Sequence, residues 1–159
     1  MATNAEKALE VIQGKVGQEE GSGDWFEVTQ DRINAFADNT EDHQFIHVDP
    51  DKCAELSPWK VPIAHGFLTL SMLTHLDASI KKDSSMFEGI MMGVNYGFDK
   101  VRFINPVTVG SKIRGRSEIV SATPKGGNTV QLKRKMTVEI DGQEKPACVA
   151  EWLTNLVYG

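Results

Sequence analysis

The chain has 159 residues, of which 40% are hydrophobic and 25% are charged, and its net charge is -5. This composition predicts a globular protein with a buried core and disfavours a disordered chain, while the acidic balance disfavours a nucleic-acid partner. No apolar run is long enough for a signal peptide or a membrane span, so a cytoplasmic location and no membrane contact are expected. Cys53 and Cys148 fit no metal spacing and are interpreted as buried or half-buried thiols.

The first half of the chain predicts helices, because apolar residues recur every three to four positions and caps and breakers separate the runs. Thr29 and Asp49 are suitable N-caps, and Pro50 fits the first position of a helix. The predicted elements are a helix over 4–13, a turn over 21–23, a strand over 24–28, a helix over 30–38, a short helix from Pro50, a helix buried on most sides over 64–76, and a polar linker over 81–85.

From Gly89 onward the apolar residues alternate with a period of two, which predicts strands. The strand segments are 90–98, 100–104, 112–120, 129–140 and 147–158, with turns at 105–106, 109–110, 125–128 and 141–142. A buried helix followed by antiparallel strands predicts an α+β fold in which a curved sheet wraps around a central helix. We expect residues 1–159 to form one domain, with an N-terminal helix and turn over 1–22.

Candidate chemistry is concentrated between Asp42 and Asp49, a segment that is predicted to be irregular. A carboxylate and an imidazole at Asp42 and His47 could hold a water, with the Asp taking its proton while the His supplies one to carbon. The alternative is structural, with Asp42 capping a turn and His47 filling a buried slot. His43 is interpreted as structural or solvent-facing. No metal is expected, because the spacing of the histidines matches no established ligand motif.

His65-Gly66 stands at the start of the predicted buried helix. The first N–H groups of a helix have no internal acceptor, and glycine leaves room for a ligand, so the Gly66 N–H could polarise a carbonyl oxygen. Glycine also serves simple packing, and His65 could orient the loop. Thr74 and Asn95 are further candidates for the pocket.

Asp42-x4-His47 followed by Val48-Asp49-Pro50, and then Ile63-Ala64-His65-Gly66-Phe67, closely resembles the MaoC-like, (R)-specific enoyl-CoA hydratase family. The segment Gly93–Arg116 resembles its NodN-like branch, and the resemblance extends from about Trp25 to the C-terminus. It implies a hot-dog fold, usually dimeric, in which a sheet wraps around a long central helix.

The resemblance also implies roles for individual residues. Asp42 and His47 would be the dyad that activates water for syn addition to a trans-2-enoyl thioester, and the Gly66 N–H would hold the thioester oxygen. Thr74 falls where the family often has a serine. Many members have Asn-Pro where this chain has Gln44-Phe45, and Phe45 is therefore expected to reshape the acyl pocket.

The expected activity is (R)-specific hydration of trans-2-enoyl-CoA to (R)-3-hydroxyacyl-CoA, with reversible dehydration. Coenzyme A would be part of the substrate, no other cofactor is expected, and a homodimer is expected. Two alternatives remain open: a hot-dog acyl-CoA thioesterase and a non-catalytic acyl-CoA-binding module.

Overall fold

The computed structural model describes residues 1–159 and contains six α-helices, a short 3-10 helix and six β-strands. The helices are α1 (Asn4–Gln13), α2 (Gln30–Thr40), α3 (Phe45–Val48), α4 (Pro50–Leu56), α5 (Gly66–Ser71) and α6 (Leu73–Ala78), and the 3-10 helix is Ser84–Phe87. The strands are β1 (Glu19–Ser22), β2 (Phe26–Glu27), β3 (Ile90–Phe103), β4 (Lys112–Gly126), β5 (Thr129–Ile140) and β6 (Cys148–Tyr158).

All the strands belong to one antiparallel sheet in the order β1-β4-β5-β6-β3. The two-residue strand β2 also pairs with β4, nearer than β1 to the start of β4. Its register places Gly115 opposite Val138, and Met136 opposite Ala150. The predicted α+β architecture is confirmed. The long strand β3 forms one edge of the sheet and has no strand on its outer side.

The helices cover one face of this sheet in two groups. Helices α5 and α6 bury Leu68, Leu73 and Leu76 against strand residues that include Ile113 and Met136. At the other end of the face, α1 packs on β4, β5 and β6. Because one sheet face is covered along its length, the alternating strand residues that point inward form most of the core.

A buried ionic cluster ties the end of α6 to the sheet. Both nitrogens at the tip of the Arg134 guanidinium donate to the Asp77 carboxylate, at 2.7 and 3.0 Å. Lys82 lies 3.1 Å from the same carboxylate, and the Glu20 carboxylate, which accepts from the Ser117 hydroxyl, lies 3.5 Å from Arg134. The cluster fixes the C-terminal end of the central helical segment, because buried charges require these partners.

The prediction of an uninterrupted helix over 64–76 is wrong. The helix begins at Gly66, is interrupted at Met72, and continues to Ala78. The Ser71 hydroxyl donates to the Phe67 carbonyl at 2.6 Å, which is the back-bonding expected for a serine in a helix, and such bonds bend helices. The Met72 N–H is shared between the carbonyls of Leu68 and Leu70, which tightens the turn at the break.

The strand predictions need four corrections. The strand predicted over 112–120 extends to Gly126 and includes the start of the turn predicted over 125–128. The predicted turn at 21–23 is largely strand, because Gly21 adopts φ +115° and forms a bulge that keeps β1 paired with β4. The segments 90–98 and 100–104 form a single strand, since a bulge between Phe98 and Lys100 corrects the register without ending the pairing. The predicted strand 24–28 is reduced to Phe26–Glu27.

The linker predicted over 81–85 contains the start of the 3-10 helix, which Asp83 caps by accepting from the Ser85 N–H at 3.0 Å. None of the helices is both long and apolar enough to cross a membrane.

Candidate active site

Asp42 is placed by the end of α2. Glu41 adopts a left-handed conformation with φ 58°, which reverses the chain, and the Asp42 N–H then donates to the Ala37 carbonyl at 3.1 Å. One carboxylate oxygen accepts from the Gln44 N–H at 3.4 Å. The side chain of Asp42 is half exposed, so its carboxylate is accessible from solvent.

His47 lies on α3, the single helical turn that occupies part of the segment predicted to be irregular. Its side chain is 6% exposed, and its Nδ1–H donates to the Ile63 carbonyl at 2.7 Å. Since a carbonyl can only accept, this bond assigns the proton of the neutral ring to Nδ1 and leaves Nε2 with its lone pair. The Ile63 N–H donates in turn to the Ile46 carbonyl at 2.9 Å, so two hydrogen bonds join the two halves of the site.

The environment of His47 favours the neutral imidazole. Burial lowers its pKa from the ordinary 6.5, and the neighbouring His65 also lowers it. The hydrogen bond to Ile63 and the Asp42 charge raise the pKa but do not offset the burial. At neutral pH, His47 is therefore positioned to accept a proton.

His65 contacts both members of the Asp42/His47 pair. Its ring is 3% exposed and stacks on the His47 ring, with 3.7 Å between the centroids and 23° between the planes. Its Nε2–H donates to the backbone carbonyl of Asp42 at 3.0 Å. Phe36 from α2 packs against the His65 ring at 5.0 Å.

One carboxylate oxygen of Asp42 and one ring nitrogen from each of His47 and His65 all lie within 4.8 Å of one another. A water that bonds two groups at about 2.8 Å each spans about 4.6 Å, so the Asp42/His47 pair can share one water. The geometry fits a single metal ion poorly. Nearly parallel stacked rings do not direct their lone pairs at one point.

Gly66 begins α5, and its N–H has no acceptor in the protein. The Gly66 backbone lines an open cleft, to which Ile63, Thr69 and Phe103 also contribute. A Cβ at position 66 would stand 3.0 Å from the Phe103 ring, so glycine permits the close approach of that ring. The N–H is therefore free to bind a ligand in this cleft. His65 directly precedes Gly66 in the chain, whereas Asp42 and His47 do not line the cleft.

The other predicted pocket residues lie in different surroundings. Thr74 is exposed on α6, beyond the break at Met72, and does not line the cleft beside Gly66. Asn95 is on β3, where its side-chain oxygen accepts from the Trp152 indole N–H at 3.0 Å, and it does not line the cleft either. Phe45 is half-buried on α3. Asp49 caps α4, as predicted, by accepting from the Lys52 N–H.

His43 is exposed and contacts Asp38 at 2.8 Å, in agreement with the solvent-facing interpretation. Sequence reasoning missed Thr69, which is buried and lines the cleft one helical turn after Gly66. Its spacing of three residues from Gly66 was the available signal, because residues three apart lie on the same helix face.

Comparison with known proteins identifies the class of protein to which this fold and site belong. The family described as MaoC like domain matches residues 11–140. The chain therefore belongs to the MaoC-like dehydratase family, and its sheet and central helical segment form the hot-dog fold.

Three relatives and neighbours are informative. The chain is 44% identical over 146 residues to 3-hydroxyacyl-thioester dehydratase Z of Mycobacterium tuberculosis, with 92% of this chain and 93% of that protein covered. It is 43% identical over 148 residues to Nodulation protein N of Rhizobium meliloti, with 93% and 90% covered. The solved structure of an (R)-hydratase from A. caviae involved in PHA biosynthesis superposes with a TM-score of 0.65 at 23% identity, with 87% and 94% covered.

Proposed function

We propose that this protein catalyses the (R)-specific hydration of trans-2-enoyl-CoA to (R)-3-hydroxyacyl-CoA, and the reverse dehydration. The observation that carries the proposal is the buried, neutral His47, with its free Nε2, beside the Asp42 carboxylate. A relative that is 44% identical is named a 3-hydroxyacyl-thioester dehydratase, which supports the same reaction class.

In the hydration direction, a water held between Asp42 and His47 adds its oxygen to C3 of the enoyl thioester, and its proton passes to His47 Nε2. The C2–C3 double bond becomes an enolate, and the imidazolium returns the proton to C2 on the same face. The net change is the syn addition of one water, and His47 ends neutral. This assignment differs from the expectation that Asp42 takes the proton while His47 supplies one. Because the pKa of His47 is lowered, the ring is neutral at pH 7 and its Nε2 must accept a proton before it can deliver one.

The Gly66 N–H would bind the thioester oxygen, where negative charge develops in the enolate. Its lack of any protein acceptor supports this role, since a donor that is already oriented needs no rearrangement to stabilise that charge. The Thr69 side chain lies on the same side of α5 and would contact the substrate. No cofactor beyond the thioester carrier enters the reaction.

We also propose a homodimer formed along β3. This edge strand exposes several large apolar side chains, and a monomer would leave them in water together with an unpaired strand edge. The exposed apolar residues of β3 are Met91, Met92, Val94, Tyr96, Phe98 and Phe103.

The test of the proposed reaction is loss of the enoyl-thioester absorbance with crotonyl-CoA and a longer trans-2-enoyl-CoA, with free thiol followed in parallel. We expect the absorbance to fall without thiol release, the product to be the (R)-3-hydroxyacyl-CoA by chiral chromatography, and the rate to be unchanged by EDTA. Thiol release would contradict this proposal and indicate a thioesterase. Tight binding with no change in the absorbance or in free thiol would contradict it and indicate a binding module.

A further inference from the structure

His65 joins the two members of the proposed dyad through two different kinds of contact. Its ring face stacks on His47 at 3.7 Å, and its Nε2–H donates to the Asp42 carbonyl at 3.0 Å. The side chain is 3% exposed, and Phe36 packs against its ring at 5.0 Å. Any shift of His65 would therefore move the His47 ring, the Asp42 backbone, or both.

His65 is poorly placed to transfer protons itself. Its Nε2–H already donates to the Asp42 carbonyl. His65 could use this hydrogen for another partner only by breaking that bond. Its Nδ1 is buried and has no hydrogen-bond partner in the protein, so no substrate atom or bulk water reaches it in this arrangement. His65 differs in this respect from His47, whose Nε2 has no hydrogen-bond partner in the protein.

The His47 ring is held by two complementary restraints. The hydrogen bond from Nδ1 to Ile63 fixes the direction of the ring within its plane, at 2.7 Å. The stacked His65 ring, 23° from parallel, restricts rotation out of that plane. Together they leave Nε2 aimed in one direction, while the bond from His65 to Asp42 fixes the backbone that carries the carboxylate.

We propose that His65 is the positioning residue of the site: it sets the orientation of His47 and its separation from Asp42, and takes no proton itself. This inference rests on the proposed hydratase reaction for its kinetic consequences, but its structural consequences can be measured without any substrate. Position 65 precedes Gly66, so the same residue also connects the dyad to the start of α5.

Shielding of His47 from water is a second consequence of the stack, and it contributes to the lowered pKa of His47. The titratable groups that face His47 are Asp42 and His65. From α2, Gln30 bonds the His47 carbonyl and Phe36 contacts His65, and neither of these side chains ionises.

Two substitutions separate the two contacts. His65→Phe keeps a ring to stack on His47 but removes the donor to Asp42, whereas His65→Gln keeps a donor of similar reach but removes the stack. For both variants we expect kcat to fall about 10- to 100-fold with little change in KM, because the reacting groups are misplaced while substrate binding is retained. In both variants the acidic limb of the pH–rate profile should also move to higher pH, because the charge effect of His65 on the His47 pKa is lost. The shift should be larger in His65→Gln, since water also gains access to His47.

His75→Gln is the matched control, because His75 is an exposed histidine on α6, beyond the break at Met72. Thermal unfolding of every variant identifies effects that come from folding alone. If folded His65→Phe and His65→Gln retain the wild-type kcat and the wild-type pH profile, His65 has no positioning role and the inference is overturned.

Nitrogen-15 NMR of the wild-type histidines provides a test that needs neither activity nor a folded variant. We expect the proton of neutral His65 on Nε2 and that of neutral His47 on Nδ1. A His65 proton on Nδ1 would overturn the inference even if both variants failed to fold. If the wild-type protein hydrated no enoyl thioester, the proposed function would fail, whereas these tautomers and the His47 pKa in the variants would still decide the positioning role.

Discussion

Asp42 and His47 are five positions apart in the chain but occupy different environments. His47 is 6% exposed and its pKa is lowered by burial, whereas the Asp42 side chain is 50% exposed. A buried neutral base beside an accessible carboxylate can bind and deprotonate a water without a metal ion. At the residue scale, the difference in burial assigns different roles to the two groups.

Removal of either group should therefore reduce the rate strongly. We expect Asp42→Asn and His47→Gln each to lower kcat/KM for a trans-2-enoyl-CoA by at least about 100-fold, the usual contribution of a positioned acid or base. The measurement is the initial rate of absorbance loss. His43→Gln should retain the wild-type rate, because His43 is exposed and contacts Asp38. Near-wild-type rates in either dyad variant would remove that residue from the mechanism.

The pH dependence of kcat/KM should report the ionisation of His47 in the free enzyme. The proposed base must be neutral, and its pKa lies below the ordinary 6.5, so half-inhibition by protonation should fall below that value. We expect kcat/KM to be level at neutral and mildly alkaline pH and to reach half of its plateau at a pH below 6.5. A half-maximal rate at or above pH 6.5 on the acidic side would contradict the assignment of His47 as the base.

At the scale of elements, the start of α5 connects the dyad to the cleft. The segment before it is held on both sides, because the Ala64 N–H donates to the Val107 carbonyl at 2.8 Å and the Ile63 carbonyl accepts from His47. Phe103, at the end of β3, packs directly over Gly66 and contacts Phe67 edge-on at 6.0 Å. The position of the Gly66 N–H therefore depends on two loops and the end of a strand.

A methyl group at position 66 should disturb this arrangement. We expect Gly66→Ala to lower kcat/KM by at least about tenfold, because the new Cβ would stand 3.0 Å from the Phe103 ring and crowd the N–H proposed to bind the thioester oxygen. Gly14→Ala is the control, since its Cβ would meet nothing closer than 3.5 Å. Full activity in Gly66→Ala would exclude a close approach of substrate at this position.

At the scale of the whole molecule, the two edges of the sheet differ. On one side the short strands β1 and β2 cover β4, whereas on the other side β3 is 14 residues long and its outer edge is unpaired. Natural proteins rarely leave a long apolar edge free, because it templates pairing with another chain. The sheet therefore favours assembly through β3.

A charge on this edge should separate the proposed dimer. We expect the wild-type protein to sediment as a dimer at micromolar concentration and Val94→Lys to sediment mainly as a monomer, because pairing would bury the ammonium group. Val16→Lys is the matched control, since Val16 and Val94 are both 45% exposed but Val16 lies outside the sheet. A monomeric wild-type protein would contradict the proposed assembly.

The sequence by itself determined most of the secondary structure. Helix α1 and strand β5 have the predicted bounds, and the Asp49 cap of α4 was also predicted, since caps, turns and apolar periodicity are local properties. The family motif also carried the candidate dyad. The bulge at Gly21 and the break at Met72 were not predicted. Pairing with β4 accompanies the bulge, and a bond from the Ser71 hydroxyl to the Phe67 carbonyl accompanies the break.

Only the tertiary structure decided how the site residues are arranged. The stack of His65 on His47 joins residues 18 positions apart, and the cleft brings Phe103 against Gly66 from the far end of β3. Thr74 was expected in the pocket, but the helix break leaves it exposed, while Thr69 lines the cleft. Local sequence patterns identify residues that can do chemistry, whereas burial, which lowers the pKa of His47, comes from packing between distant segments.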